Sequence, residues 1–322
     1  MELGKPLLYL PRAAVESLGL GARPIADAIE SLIARRAAGA ARSAPKAALP
    51  FADGRLFQAM LAHADEPAYG AAKIIGLAQD NAARELPHIS AVIVLQDGES
   101  GAPVAIMDGG WITEVRTAAL TLVAARRLAR DDAAVAGFVG CGAQARSHLE
   151  ALAGAYPLRA VRACSRSQAS AARLAGLARD MDLEAETVSE ARAAVEDCDL
   201  VVTTVPAVAG LEPFLNADWL KPGAFASLVD LGRSWLAEPL ARIDRLVIDD
   251  REQEAHAAAP LVEERLVSAD LSELVSGAAA GRTRMDQRTV FVFRGIALAD
   301  LAAAVLVYER ARERGVGEVL AR

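Results

Sequence analysis

The run GFVGCGAQARSHLEAL, residues 137–152, contains Gly140-x-Gly142-x-x-Ala145, a spacing suited to a dinucleotide. Gly140 permits a tight turn, Gly142 lets the backbone approach a pyrophosphate, and Ala145 lets a following helix pack close to its strand. The N–H groups at the helix start are left for the phosphates. Alone the spacing is weak; an apolar strand before it and a helix after it give it weight against a Gly-rich turn that merely packs a βα unit. The next strand ends in Cys164-Ser165-Arg166-Ser167, where an NAD site normally carries Asp or Glu for the ribose 2′-hydroxyl. No carboxylate stands there, and Arg166 between two serines suits a 2′-phosphate, which favours NADP(H) over NAD(H). The bland alternative is a solvated loop arginine. Lys73 lies inside AAKIIGL, so it either snorkels from a sheet edge or is buried with a depressed pKa, ready to donate a proton. Arg116, in the first turn of an Ala/Leu-rich helix, is awkward in a core unless it holds an anion, the alternative being an exposed helix arginine. Asp230 ends FASLVD, at the C-terminal edge of a parallel sheet, where such sheets bind ligands.

The elements that must position these residues follow from periodicity. Residues 24–41 have helical spacing, with Pro24 near the start. Residues 55–108 read as short antiparallel strands, among them 89–95 and 104–107, with a hairpin turn at Asp97-Gly98-Glu99-Ser100-Gly101. A helix is predicted over 112–130, with Thr113 as its N-cap. Strands and helices then alternate: strand 134–139, helix 143–155, strand 159–164, helix 168–180, and strands 199–204, 224–229 and 245–249. That pattern predicts a parallel α/β sheet with crossover helices. A last helix runs over 296–314, and no internal repeat is present.

Composition narrows the class. A chain of 322 residues points to two domains, and 53% apolar with 24% charged residues supplies a large core. Net charge is −7 and the basic residues are scattered, which argues against nucleic acid or an anionic membrane as partner. Any anionic ligand must therefore be held by a local cluster of cations. The three cysteines, Cys141, Cys164 and Cys198, form no CxxC, and the four histidines, His63, His88, His148 and His256, form no HExxH, so no metal site is expected. Unpaired thiols without a secretion signal point to the cytoplasm, and no apolar run reaches the ~18 residues of a membrane helix.

The stretch MDGGWITEVRTAALTLVAARRLARDDAAVAGFVGCGAQA resembles the ornithine cyclodeaminase/mu-crystallin family, through a Thr, then Arg-Thr-Ala-Ala, then Leu-Ala-Arg and the Gly-x-Gly-x-Gln-Ala loop. The likeness extends from Lys46 through AAKIIGLAQDNAARELPHISAV to GIALADLAAAVLVYERA. It implies a homodimer of chains with a Rossmann dinucleotide-binding domain, residues 117–295, and an α+β substrate and dimerisation domain, residues 1–116 with 296–322. It implies that Arg116 and Lys46 meet a substrate carboxylate, that Lys73 is the acid/base or substrate-binding lysine, and that Asp230 faces the substrate amine. It also assigns Arg116, Thr117, Gly140, Gly142, Ala143, Gln144, Ser165, Arg166, Ser167, Thr204, Val205, Asp230 and Gly295 to the cofactor.

Three departures matter. Gln58, in RLFQAM, stands where the cyclodeaminases have a Glu, and a neutral amide cannot pair with a second ammonium on the substrate. His88, in LPHIS, replaces a Thr near the nicotinamide and stands either as a proton relay or as a hydrogen-bonded structural histidine. Arg294, in Phe293-Arg294-Gly295, is either a cation for a second substrate carboxylate or a surface arginine. The expected activity is reduction of a small imine or 2-oxo acid by NADPH to an amino acid. The alternatives are an ornithine cyclodeaminase that recycles bound NAD⁺, and a mu-crystallin-like protein that holds NADPH and a small ligand.

Overall fold

The computed structural model describes residues 6–208 and 210–321. The chain divides into two compact units, one through Arg116 and again from Gly295 onward, the other Thr117–Arg294.

The first unit contributes β1 (Leu7–Leu10), α1 (Ala22–Ala37), β2 (Ala41–Ser43), β3 (Ala47–Pro50), β4 (Leu56–Asp65), β5 (Ala68–Leu77), β6 (Ile89–Asp97) and β7 (Pro103–Asp108). Helix α2 (Gly109–Leu128) begins here. The second unit holds β8 (Val135–Val139), α3 (Ala143–Ala153), β9 (Ala160–Cys164), α4 (Gln168–Asp180) and β10 (Glu184–Val188). It continues through β11 (Leu200–Thr203), β12 (Phe225–Leu228), β13 (Arg245–Ile248), β14 (Val267–Asp270) and β15 (Thr289–Val292). Helix α5 (Ala297–Arg314) and β16 (Glu318–Leu320) return to the first unit.

In the first unit the strands form one mixed sheet, ordered β16-β1-β7-β6-β5-β4-β2, with β3 also paired to β4. The β6–β7 hairpin closes as its sequence asks: Asp97 Oδ1 accepts from the Ser100 backbone N–H at 2.9 Å and from its hydroxyl at 2.7 Å. Helix α2 starts earlier than expected. Asp108 Oδ1 accepts from the Trp111 N–H at 2.8 Å and caps the helix, so Thr113 is not the cap but lies buried one turn inside. In the second unit all eight strands run parallel, ordered β10-β9-β8-β11-β12-β15-β13-β14. Strand order reverses between β8 and β11, the switch point at which such sheets open a ligand crevice beyond their C-terminal ends. The expected α/β class with a dinucleotide-binding sheet is what the chain adopts.

Candidate active site

Strand β5 is central in its sheet and places Lys73 opposite Met60 and Ile93 on the inner face. Lys73 is 1% exposed, so it is buried and does not snorkel. Its Nζ lies 2.7 Å from Asp300 Oδ1 and 3.4 Å from Thr113 Oγ1. Arg116 Nε donates to the same Asp300 oxygen at 2.9 Å. The other oxygen, Oδ2, is buried with no hydrogen-bond partner among the described residues. Burial, then the neighbouring Arg116, push the Lys73 amine down to about 8 against the pull of Asp300. Burial alone would raise Asp300; Arg116 and Lys73, with a contribution from Lys46, outweigh it and hold the carboxyl below its ordinary range. Two buried cations thus meet one buried carboxylate, an excess of positive charge that a ligand anion would balance.

Asp300 was not among the residues singled out from sequence. The available signal was an acid alone in GIALADLAAAVLV, where burial demands a cation partner. Gly295 has φ +84°, and a Cβ there would fall 2.4 Å from Arg116 Nη1, so only glycine lets the guanidinium lie flat against the chain. Lys46, half-buried just before β3, joins this cluster electrostatically. Gln58 is half-buried on β4, two residue pairs along from Lys73 and so on the same face. His88 is exposed. Its ring donates Nδ1–H to the Ala78 carbonyl at 3.0 Å and helps close the β5–β6 connection.

In the second unit Gly140 has φ +88°, and a Cβ would meet the Thr204 carbonyl at 2.8 Å. Gly140 N–H donates to Cys164 O at 2.8 Å, and Thr204 Oγ1 to Gly140 O at 3.0 Å, so the loop is fixed where β8, β9 and β11 end. Gly142 is exposed, with open space where a Cβ would stand. Ala143 opens α3, neither α3 nor α4 has an acid in its first turn, and Gln144 Oε1 is buried with no partner among the described residues. An accessible backbone and a helix start without acids fit a pyrophosphate. Ser167 caps α4, accepting from the Ser170 N–H at 3.3 Å, with half-buried Ser165 and exposed Arg166 ahead of it. Thr117 is buried on α2.

Asp230 accepts from Thr203 Oγ1 at 3.0 Å, Ser234 Oγ at 2.5 Å and Gly232 N–H at 3.2 Å, with Val205 N–H as a further donor. Burial still leaves its carboxyl above the ordinary range. Both oxygens are already occupied, so the structure uses Asp230 to tie together the ends of β11 and β12. Arg294 is already engaged within the protein. Its guanidinium makes a two-pronged pair with Glu254, with Nε to Oε2 at 2.7 Å and Nη2 to Oε1 at 3.2 Å, and Nη2 also donates to Ala259 O. Its charge is neutralised within the protein.

The sequence model of the ornithine cyclodeaminase/mu-crystallin family matches residues 9–315. The chain belongs to this family. Among its ornithine cyclodeaminase/mu-crystallin relatives, the alanine dehydrogenase of Archaeoglobus fulgidus is 31% identical over 96% of this chain and 97% of its own. The Thermococcus litoralis Δ1-pyrroline-2-carboxylate reductase, solved with NADH and L-proline, superposes with a TM-score of 0.90. It shares 28% identity and covers 97% of this chain and 100% of its own. An archaeal alanine dehydrogenase dimer with bound NAD gives a TM-score of 0.88 at 29% identity, over 98% and 99% of the two chains. Among the described residues no group of His, Cys, Asp and Glu could hold a metal, and no helix is long and apolar enough to cross a membrane.

Proposed function

We propose that the protein is an NADPH-dependent reductase that converts a small imine, preformed or made from a 2-oxo acid and an amine, into an amino acid. The observation that carries this reading is the buried Lys73–Asp300–Arg116 cluster with its excess positive charge. The nicotinamide, when bound, supplies a hydride for the substrate Cα. Arg116, with Lys46, pairs with the substrate carboxylate and fixes which carbon is presented. Lys73, held near 8, carries a proton at Nζ that it can release near neutral pH, as proton delivery to a substrate nitrogen requires. Asp300 anchors both cations. Lys73 suits the proton-carrying role better than Asp230, whose oxygens accept from Thr203, Ser234 and Gly232.

The preference for NADPH rests on this chain's own Ser165-Arg166-Ser167, which offers a cation and no carboxylate. The reading includes a homodimer, supported by an apolar outer face on the first unit's sheet, where Phe57, Leu61 and Val92 are exposed.

The test follows loss of the reduced-nicotinamide absorbance with NADPH, then NADH, against cyclic imino acids and against 2-oxo acids with ammonia. Consumption matched to product, faster with NADPH, is the expected result. No consumption, but ammonia release from ornithine with catalytic NAD⁺, would replace the reductase by a cyclodeaminase.

A further inference from the structure

A cavity of about 330 Å³ opens between α3 and α4, beside Gly142, lined by Arg146, Ser170 and Arg173 over Leu174 and Leu177. We propose that Arg146 and Arg173 in this cavity bind the 2′-phosphate of NADPH, an inference that rests on the NADPH reading above.

The starts of α3 and α4 carry partial positive charge, which acids in the first turn usually offset, and neither helix has one there. Instead the chain adds guanidinium groups. Arg146 is the fourth residue of α3, and its backbone N–H donates to Gly142 O at 3.2 Å, so it stands one turn from the glycine loop. Arg173 is drawn back toward the start of α4: its Nη2 donates to Ser170 Oγ at 2.9 Å, and that hydroxyl lies 3.2 Å from the capping Ser167 Oγ. Among the described residues no carboxylate lines the cavity. Two helix starts and two arginines around one space call for a multiply charged anion, and a phosphomonoester accepts two guanidinium forks at once. Arg166, on the loop ahead of α4, is not among the lining residues, so these two cations are additional to the arginine recognisable from sequence.

The competing occupant is the pyrophosphate, which NADH and NADPH share. Titration calorimetry of the full chain with NADPH, NADH, 2′,5′-ADP and 5′-AMP separates the two, without recourse to turnover. Each charge-assisted pair is worth roughly tenfold or more in affinity. R146A and R173A are therefore expected each to lower the NADPH-to-NADH affinity ratio about tenfold, with the same loss in the 2′,5′-ADP-to-5′-AMP ratio, and the double variant further. An equal loss for both members of each pair would give the arginines to the pyrophosphate and overturn the proposal. A double variant that keeps the ratio of a wild type preferring NADPH would overturn it too, with the NADPH reading intact. A wild type indifferent between the nucleotides would remove the NADPH reading and this proposal together.

Discussion

Lys73 and Arg116 sharing one oxygen of Asp300 is an arrangement that folding alone does not reward, because two desolvated cations repel each other and one carboxylate cannot neutralise both. In the proposed reductase its use is to keep one amine easily deprotonated while holding a guanidinium ready for an anion. Lys73→Met removes the proton carrier and keeps the volume. The expected kcat is lower by about 10²–10⁴-fold, with NADPH affinity retained, and near-normal turnover in steady-state assays would exclude Lys73 as the donor. The pH dependence has a definite sign. Lys73 is protonated below about 8, so kcat/KM should fall as pH rises through that value. Asp300 opposes the depression of the Lys73 pKa, so Asp300→Asn leaves the amine beside Arg116 without a counter-charge, and the alkaline limb should move to lower pH. A limb that stays in place in that variant would show that Asp300 acts only in folding. Such a variant also loses the anchor of a buried pair, a loss of about 3–5 kcal/mol, so the comparison is best made well below its melting temperature.

At the level of elements, α2, α3 and β12 are tied by a buried polar chain of Thr121, His148 and Ser227. The His148 Nδ1 lies 2.7 Å from the Gln144 carbonyl, which can only accept, so Nδ1 carries the hydrogen and Nε2 accepts from Thr121 Oγ1 at 3.0 Å. Thr121 then accepts from Ser227 at 2.8 Å. Burial pushes His148 down to about 4, so the ring stays neutral and the chain keeps its direction above that pH. Thr121→Val preserves shape but strands Nε2 in the core. The expected loss is about 1–3 kcal/mol, read from the denaturant midpoint, and an unchanged midpoint would show that the threonine hydroxyl contributes nothing. His148 was visible in the sequence only as one histidine of four, since Thr121 lies 27 positions before it and Ser227 lies 106 positions from Thr121. The same limit separates what could be read from what could not. Local periodicity revealed β8 through α4 and the glycine loop, because each is written in adjacent residues. Lys73 and Arg116 stood out because a charge interrupts an apolar run. Asp300 is 227 residues from Lys73 and sits in the first turns of α5, so only tertiary packing pairs them. Strand β15, four residues long, falls between β12 and β13 although it follows both in sequence, and nothing in TVFV announces that insertion.

For the molecule as a whole, the sheet of the first unit poses a problem that one chain leaves unsolved. An antiparallel sheet with one face in water normally alternates apolar and polar residues, yet here β4, β5 and β6 are apolar on both sides. Met60, Ala62 and Ala64 of β4 are buried inward, while Phe57 and Leu61 of the same strand are 41% and 52% exposed. The register extends that outer row: Phe57 pairs with Leu49 of β3, Leu61 with Ala72, Ile74 with Val92, and Ala72 with Val94. A continuous apolar patch across four strands is what an interface needs, and a second copy, bringing the same patch, satisfies it by two-fold symmetry. Leu61→Glu places a charge at the centre of that row, where a partner would have to desolvate it. Light scattering coupled to gel filtration should give the wild type twice the 33.7 kDa of one chain, and the variant a mass near 33.7 kDa with its two-domain fold kept, since Leu61 already faces solvent within the chain. A variant that still runs at the doubled mass would move the interface to another face, and a monomeric wild type would leave the outer row of β4 to β6 to a different partner.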